Sequence, residues 1–534
     1  MPLVLSAIFA GGMWLGWILN SSHSLSGGEK KLMSVLEIIN DKYVDEIDMD
    51  SLVEMAIPAL LNNLDPHSAY IPKTDFEMVN SELEGFSGVG ISFDILNDTL
   101  CVVEVITDGP AERVGVQAGD RIIKVDDKPI AGTGLTPDDV RAMLRGKKGT
   151  DVTITVKRGL SRKPLTFKIT RDDIPTVYID AAYMCDDRTG YIKVSKFARD
   201  TYDEFLQALN RLRIEGAQDY VIDLRGNTGG YMEPAILMAN EFLEPGQVIV
   251  STKGRDRSED QIVLSDGSGA FTDFGVAVII DEFSASASEI FSGAIQDNDR
   301  GWIIGRRSFG KGLVQRPIMM PDSSEVRLTV QRYYTPAGRC IQKDYKLGDR
   351  SDYDAELINR FNNGELLSAD SVRFNPDDRY TTFGGRTVYG GGGIMPDHFV
   401  PRDTAAVTKY YEKIINKGLM IDFAYEYADL NRDDLSAVET VDEFRKKLPS
   451  DDMLLVSFVR YAAQNGVPAQ WYYINTSSKL IVNQLKALIA RNVLGLSAYY
   501  EIINVDDKAL DIAREKVRRP PLDADVSEKI ATNE

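Results

Sequence analysis

The sequence predicts a multidomain α/β protein: an N-terminal helical segment, a small module of short strands, an α/β core and a helical C-terminal region. Three observations carry this. Residues 173 to about 345 alternate apolar strand-like runs with amphipathic stretches, as at Tyr220 to Leu224, Pro234 to Phe242 and Val276 to Ile280. From Gly85 the texture changes to short strands and glycine turns. Beyond about residue 403 the chain is helical and charged, with no chemical constellation. At 534 residues three or four modules are expected, and 43% apolar content is ample for buried cores. A net charge of -20 argues against nucleic acid as a partner. Cys101, Cys185 and Cys340 lie far apart and make neither a disulfide framework nor a metal-binding pair, so no metal or cofactor is expected.

Taken in order, Pro2 to Leu19 is uncharged, apolar and just long enough to cross a bilayer as a helix. Residues 1–22 are therefore expected to be a membrane anchor or signal segment. No Lys or Arg precedes the run, and neither an A-x-A cleavage site nor a lipid-anchor cysteine is present. An uncleaved anchor with the rest outside the cytoplasm is the favoured expectation. Residues 23–84 read as helices, with Leu32, Val35, Leu36 and Ile39 at helical spacing, until Leu64-Asp65-Pro66-His67-Ser68 breaks the pattern. In 85–172, Gly85-Phe86-Ser87-Gly88-Val89-Gly90 leads into a strand. Its backbone N–H groups suit capture of a peptide's terminal carboxylate while the strand edge pairs with the peptide. Asp138 to Leu144 supplies a helix ending at Arg145. The core is read as 173–402, with an aspartate-rich insertion or surface excursion at about 344–388. Residues 403–534 are read as a helical domain, with a frayed tail from Pro520.

The chemistry concentrates between Phe283 and Gln315. The buried-strand pattern Val276 to Ile280 gives way to Ser284, Ser286 and Ser288, and helical spacing follows. Serines at a strand-to-helix turn lie beside free helix N-terminal amides that stabilise developing negative charge. Ser286-Ala287-Ser288-Glu289 also fits a capping box, which alone explains a serine-rich helix start. Lys311, between Gly310 and Gly312, shifts the balance: a buried lysine has a lowered pKa and serves as the base that serine needs. Gln315, four residues on, is placed to orient the amine. The spacing alone does not choose among the three serines. Two rivals fare worse. Gly305 to Lys311 has P-loop spacing, but Gly312 replaces the magnesium-binding hydroxyl and prolines follow where a helix is required. A Ser-His-Asp triad has only His23, His67 and His398 to draw on.

The pattern S-A-S-A-S-E followed by F-G-K-G-L-V-Q resembles the C-terminal processing (tail-specific) serine proteases, which use a Ser/Lys dyad and carry a PDZ domain. The glycine entry at 85–90, Gly109-Pro110-Ala111, Ala118-Gly119-Asp120 and the strand Val152 to Arg158 are similar to a PDZ domain over 85–172. The resemblance covers roughly 30–402. It implies that Ser286 is the nucleophile, Lys311 the general base and Gln315 the residue that orients it. Asp297 matches a frequent acidic position. The D-L-R-x-N-x-G-G element at Asp223 to Gly230 implies an oxyanion donor, assigned to Gly229 with Gly230 as the substitute, and the Ala287 N–H as its partner. Peptide binding is assigned to Gly85, Phe86, Ser87, Gly88, Val89 and Gly90. The L-D-P-H-S element is either a packing segment or a dimer contact. The expected function is a serine endopeptidase with an acyl-enzyme intermediate, acting on protein substrates with accessible C-termini. The expected location is the periplasmic side of a bacterial inner membrane, with a homodimer as one possible state. The alternative is a catalytically inactive PDZ peptide-binding scaffold.

Overall fold

The computed structural model describes residues 26–519 and 521, apart from 77–78, 81–84, 97, 107, 160–162 and 374. The expected anchor at 1–22 and the tail beyond 521 lie outside the described residues.

The core is a six-stranded sheet in the order Ile179–Met184, Thr189–Val194, Asp219–Asp223, Gly275–Ile280, Trp302–Gly305 and His398–Phe399. The first pair is antiparallel and the remaining pairs are parallel. Side-chain direction alternates along a strand, so a run that is apolar at every position must be covered on both faces. Gly275–Ile280 shows this directly. Val276, Val278 and Ile280 pack with Phe205, Leu209, Phe242 and Phe291 on one face. Ala277 and Ile279 face the opposite way, against Ala509, Leu510, Ala513 and Val517. The helices Thr201–Glu215, Met232–Asn240 and Ala287–Asp297 contribute to the first face. The second is closed by Lys508–Lys516, from the far end of the chain.

A second sheet stands beside the core. Glu325–Tyr334 is flanked by Leu313–Met319, Ala69–Ile71 and Val248–Gly254, each antiparallel to it. The module expected to be a PDZ domain has its own six-stranded sheet and a core around Leu100, Val102, Ile122, Ile154 and Ile169, flanked by the helix Pro137–Leu144. A helical bundle centred on Tyr410, Phe423, Phe458 and Ile481 follows the core.

Two expectations change. The helical reading of 23–84 holds for Gly27–Lys42 and Met49–Leu61, but Ala69–Ile71 is a strand. Proline at 66 ends the helical register, and the β-branched Ile71 follows. The segment at 344–388 is not a surface excursion. It contains the helix Arg350–Asn362, and Tyr353, Arg360 and Glu365 are buried. Glu365 takes Arg307 Nε at 2.6 Å and Arg360 Nε at 2.8 Å, and Arg360 Nη1 donates to the Ser308 carbonyl at 3.0 Å. Its interior is held by paired charges, so it lacks the apolar periodicity that marks a packed helix.

Candidate active site

Strand Gly275–Ile280 ends in a turn that sets Ser286 immediately before the helix Ala287–Asp297. Ser286 has φ +55°, a conformation that costs a non-glycine residue about 1–3 kcal/mol and persists only when its surroundings enforce it. Those surroundings are specific. The Ser286 N–H donates to Glu289 Oε2 at 2.8 Å, and its carbonyl accepts from the amides of Glu289 and Ile290 at 2.8 and 3.0 Å. The geometry also separates the three serines. Ser284 and Ser288 are fully buried, their hydroxyls donating to the carbonyls of Leu224 and Asn227, each at 2.8 Å. Ser286 is the serine among them that lines the cleft.

That cleft, of about 530 Å³, also takes in Lys311, Gly229, Gly230 and Ala287, with apolar walls from Phe76, Met232, Ile290, Leu313, Pro317 and Met319. Lys311 Nζ donates to Gln315 Oε1 at 3.0 Å, and Gln315 Nε2 donates in turn to the carbonyl of His67. Burial, then the positive charge of Arg327, holds the Lys311 amine below the usual lysine value. In this conformation its hydrogen bond goes to Gln315 and not to Ser286.

One carboxylate organises both reactive loops. Glu289 is fully buried and accepts from Ser308 Oγ at 2.5 Å, from the Gly310 and Lys311 amides at 2.7 and 2.9 Å, and from Ser286. The capping-box reading of Glu289 is thus half of its role; the other half spans 22 residues to the lysine loop. Tyr333, 1% exposed, adds a second link, its hydroxyl 3.0 Å from the Ser286 carbonyl and 2.5 Å from that of Lys311. Neither role is visible in sequence, since Tyr333 sits in an ordinary alternating strand.

The glycine turn after Asp219–Asp223 packs against Ser286. A Cβ on Gly229 would lie 2.8 Å from Ser286 Cβ and 3.0 Å from the Ala287 nitrogen, which admits glycine only. The expected Gly229 donor is corrected, however. Its N–H is committed to Asn227 Oδ1 at 2.9 Å. Among the described residues the Gly230 and Ala287 amides have no hydrogen-bond partner, and both residues line the cleft.

The two rival readings lose their geometry. Lys311 leads into the strand Leu313–Met319 instead of a phosphate-binding helix. His67 lies behind Gln315, its Nε2 2.8 Å from the Tyr353 hydroxyl, and burial followed by Lys311 pushes its pKa down to about 3. His398 packs against Trp302, ring centroids 4.9 Å apart and planes tilted by 55°, and is not a lining residue of the cleft. Asp297 is not in the cleft either: it is fully buried and pairs with Arg339 Nη2 at 2.7 Å.

The L-D-P-H-S segment proves to be part of the site's frame. Asp65 Oδ1 accepts from the amides of His67 and Ser68 and from Thr329 Oγ1, at 2.9, 3.0 and 2.8 Å. It thereby fixes the His67 carbonyl that holds Gln315.

In the small module, a groove of about 370 Å³ runs between Ile91–Leu96 and Pro137–Leu144. Of the residues expected to bind peptide, Phe86, Val89 and Gly90 line it, joined by Ile91, Phe93 and Leu144. Gly85, Ser87 and Gly88 do not; Ser87 and Gly88 pair with Asp173 and Asp172 in a separate two-stranded ladder. The Arg145 guanidinium lies 4.0 Å from the Phe86 ring centroid at the groove's end.

Residues 188–352 match the model of peptidase family S41, residues 101–158 a PDZ domain, and residues 410–495 a family of unknown function. A "Carboxy-terminal-processing protease" of Bartonella bacilliformis is 38% identical over 58% of this chain and 71% of its own. A "Probable CtpA-like serine protease" of Staphylococcus haemolyticus is 32% identical over 64% of this chain and 70% of its own. The Staphylococcus aureus protein of the same description is 35% identical, with 62% of its length covered. Among solved structures, a photosystem II D1 C-terminal processing protease aligns over 71% of this chain and 95% of its own, at 22% identity and a TM-score of 0.36. The chain belongs to the carboxy-terminal-processing serine proteases of peptidase family S41, with a PDZ domain, an α/β core and a helical C-terminal region.

Proposed function

We propose that the protein is an endopeptidase in which Ser286 attacks the scissile carbonyl with Lys311 as its base. The observation that carries this reading is a desolvated amine in one cleft with a strained serine that abuts an unpaired helix N-terminal amide. A lysine below its usual pKa supplies the neutral amine that accepts the serine proton. Rotation about the Lys311 side-chain torsions, with Gln315 as the alternative partner of the amine, brings Nζ to Ser286 Oγ. The serine oxygen then bonds to the carbonyl carbon and the tetrahedral oxyanion forms. The amides of Ala287 and Gly230 face it, each contributing about 3 kcal/mol. Collapse releases the amine product, which takes its proton from Lys311. Water then attacks the acyl-enzyme with the same lysine as base.

The PDZ groove, lined by apolar side chains and ending at Arg145 and Phe86, is read as the receptor for an unstructured apolar C-terminal tail. The apolar run Pro2 to Leu19 supports an envelope location with the enzyme outside the cytoplasm. No helix among the described residues is long and apolar enough to cross a membrane.

The test is cleavage of an unfolded substrate with an apolar C-terminal tag. Ser286→Ala and Lys311→Ala each lower kcat by roughly 10⁴-fold or more with the fold retained, and replacing the tag's last residues by aspartate slows cleavage by wild type. Full activity of the Ser286 variant refutes the assignment.

A further inference from the structure

The turn that carries Gly230 begins at Arg225, and the anchor of that residue comes from the other end of the chain. Arg225 Nε lies 3.1 and 2.9 Å from the two oxygens of Asp223, while its Nη1 donates to Asp507 Oδ2 at 2.5 Å. Lys193 Nζ donates to the Arg225 carbonyl and sits 3.5 Å from Asp223 Oδ1. Two cations and two carboxylates therefore alternate through this cluster, with Asp180 as a further acidic neighbour of Lys193, and Asp223 and Lys193 are 1% and 5% exposed. Without Asp507 the Arg225 guanidinium loses one of its two carboxylate partners and keeps only Asp223.

Asp507 is itself rigidly placed. Its Oδ1 caps the helix Lys508–Lys516, accepting from the amides of Ala509 and Leu510 at 2.8 and 3.0 Å. Ala509 and Leu510 are buried against the back of the core sheet. One carboxylate thus ties the turn to a helix that cannot shift without uncovering that face. The far end of the turn is held independently: Asn227 Nδ2 donates to the Val194 carbonyl at 3.1 Å, and the Asn227 carbonyl accepts from the Ala285 amide at 3.0 Å and Ser288 Oγ at 2.8 Å. The Arg225 side chain, by contrast, has Asp223 and Asp507 as its partners.

We propose that Asp507 is a positioning residue for the oxyanion turn, so that the helical C-terminal region forms part of the catalytic apparatus. This rests on the reading that Ser286 and the Gly230 amide act in acyl transfer. The same region also grips the PDZ domain, where Arg432 Nη2 donates to the Ala118 carbonyl at 2.9 Å.

The test compares Asp507→Asn, which keeps the helix cap and removes the charge, with wild type on a short peptide. Rates are expressed per active site titrated with a fluorophosphonate. The expected result is a kcat lower by about tenfold with KM within about twofold, and a matching loss of affinity for a peptide boronate that mimics the tetrahedral state. Asp507→Glu retains most of the kcat. A purely structural role changes only the titratable fraction and the melting temperature, leaving kcat per site and boronate affinity unchanged, and that result overturns the proposal. If Asp507→Asn does not fold, Asp507→Glu against Asp507→Gln reads the same difference in charge. Ser286→Ala, run in parallel, separates the two failures. An active Ser286 variant brings down the dyad and this inference together; an inactive one beside an unaffected Asp507→Asn brings down this inference alone.

Discussion

At the scale of the residue, the site is two unfavourable placements held by their neighbours. Ser286 is kept at positive φ and Lys311 is half-buried, which disfavours its charged form, and Glu289 accepts hydrogen bonds from the backbone amides of both. The lysine makes a signed prediction. Only the neutral amine accepts a proton, so kcat/KM rises with pH through a pKa displaced below the ordinary lysine value of 10.5. Burial, then Arg327, sets that direction. Between the folded pKa and the unfolded one the unfolded chain binds more protons, so stability rises with pH across the same window. Below the folded pKa the penalty for burying the charge is present in full. A pH–rate profile whose rising limb lies at or above the free-lysine value removes Lys311 as the base.

At the scale of the element, the residues that support Lys311 and Gln315 come from segments whose sequence does not announce that role. Burial pushes the Asp65 carboxyl up, and hydrogen bonds from Ser68, Thr329 and the His67 amide outweigh it and hold it below the usual carboxylate value. Asp65→Ala leaves Thr329 Oγ1 without its acceptor and frees the His67 carbonyl that restrains Gln315. The expected cost is about 1–3 kcal/mol of stability, together with a lower kcat per titrated site. Unchanged kcat in a folded variant would remove the segment from the support of the proposed site. The helix Arg350–Asn362 is a comparable case, since Arg360 holds the carbonyls of Arg307 and Ser308 just ahead of the lysine loop. Its importance is hidden in sequence because paired charges, and not apolar periodicity, form its interior.

At the scale of the whole molecule, the C-terminal region is a wall of the core and not an appendage. Leu510 lies on the back face of the sheet, where burying a side chain of its size contributes about 2 kcal/mol. Leu510→Asp would bury an unpaired carboxylate there, with a destabilisation of several kcal/mol expected. Thermal unfolding is the measurement, and a melting temperature equal to wild type would show that this face does not depend on the helix.

The stretch from Ser284 to Gln315 was legible from the sequence because its parts are local. An apolar strand, a serine turn and a lysine between glycines sit within about forty residues, and each has its own short-range pattern. The continuous apolar run Val276 to Ile280 likewise announced a buried strand, although not what would cover it. The burial of Ser284 and Ser288 beside a cleft-lining Ser286, the Gly229 N–H turned to Asn227, the His67 carbonyl behind Gln315 and the Asp507–Arg225 pair are features of the tertiary structure. The last two contacts join residues 248 and 282 positions apart. Periodicity reports which way a side chain points within its own element; which distant carbonyl or carboxylate meets it is fixed only when the sheets and helices close around a common interior.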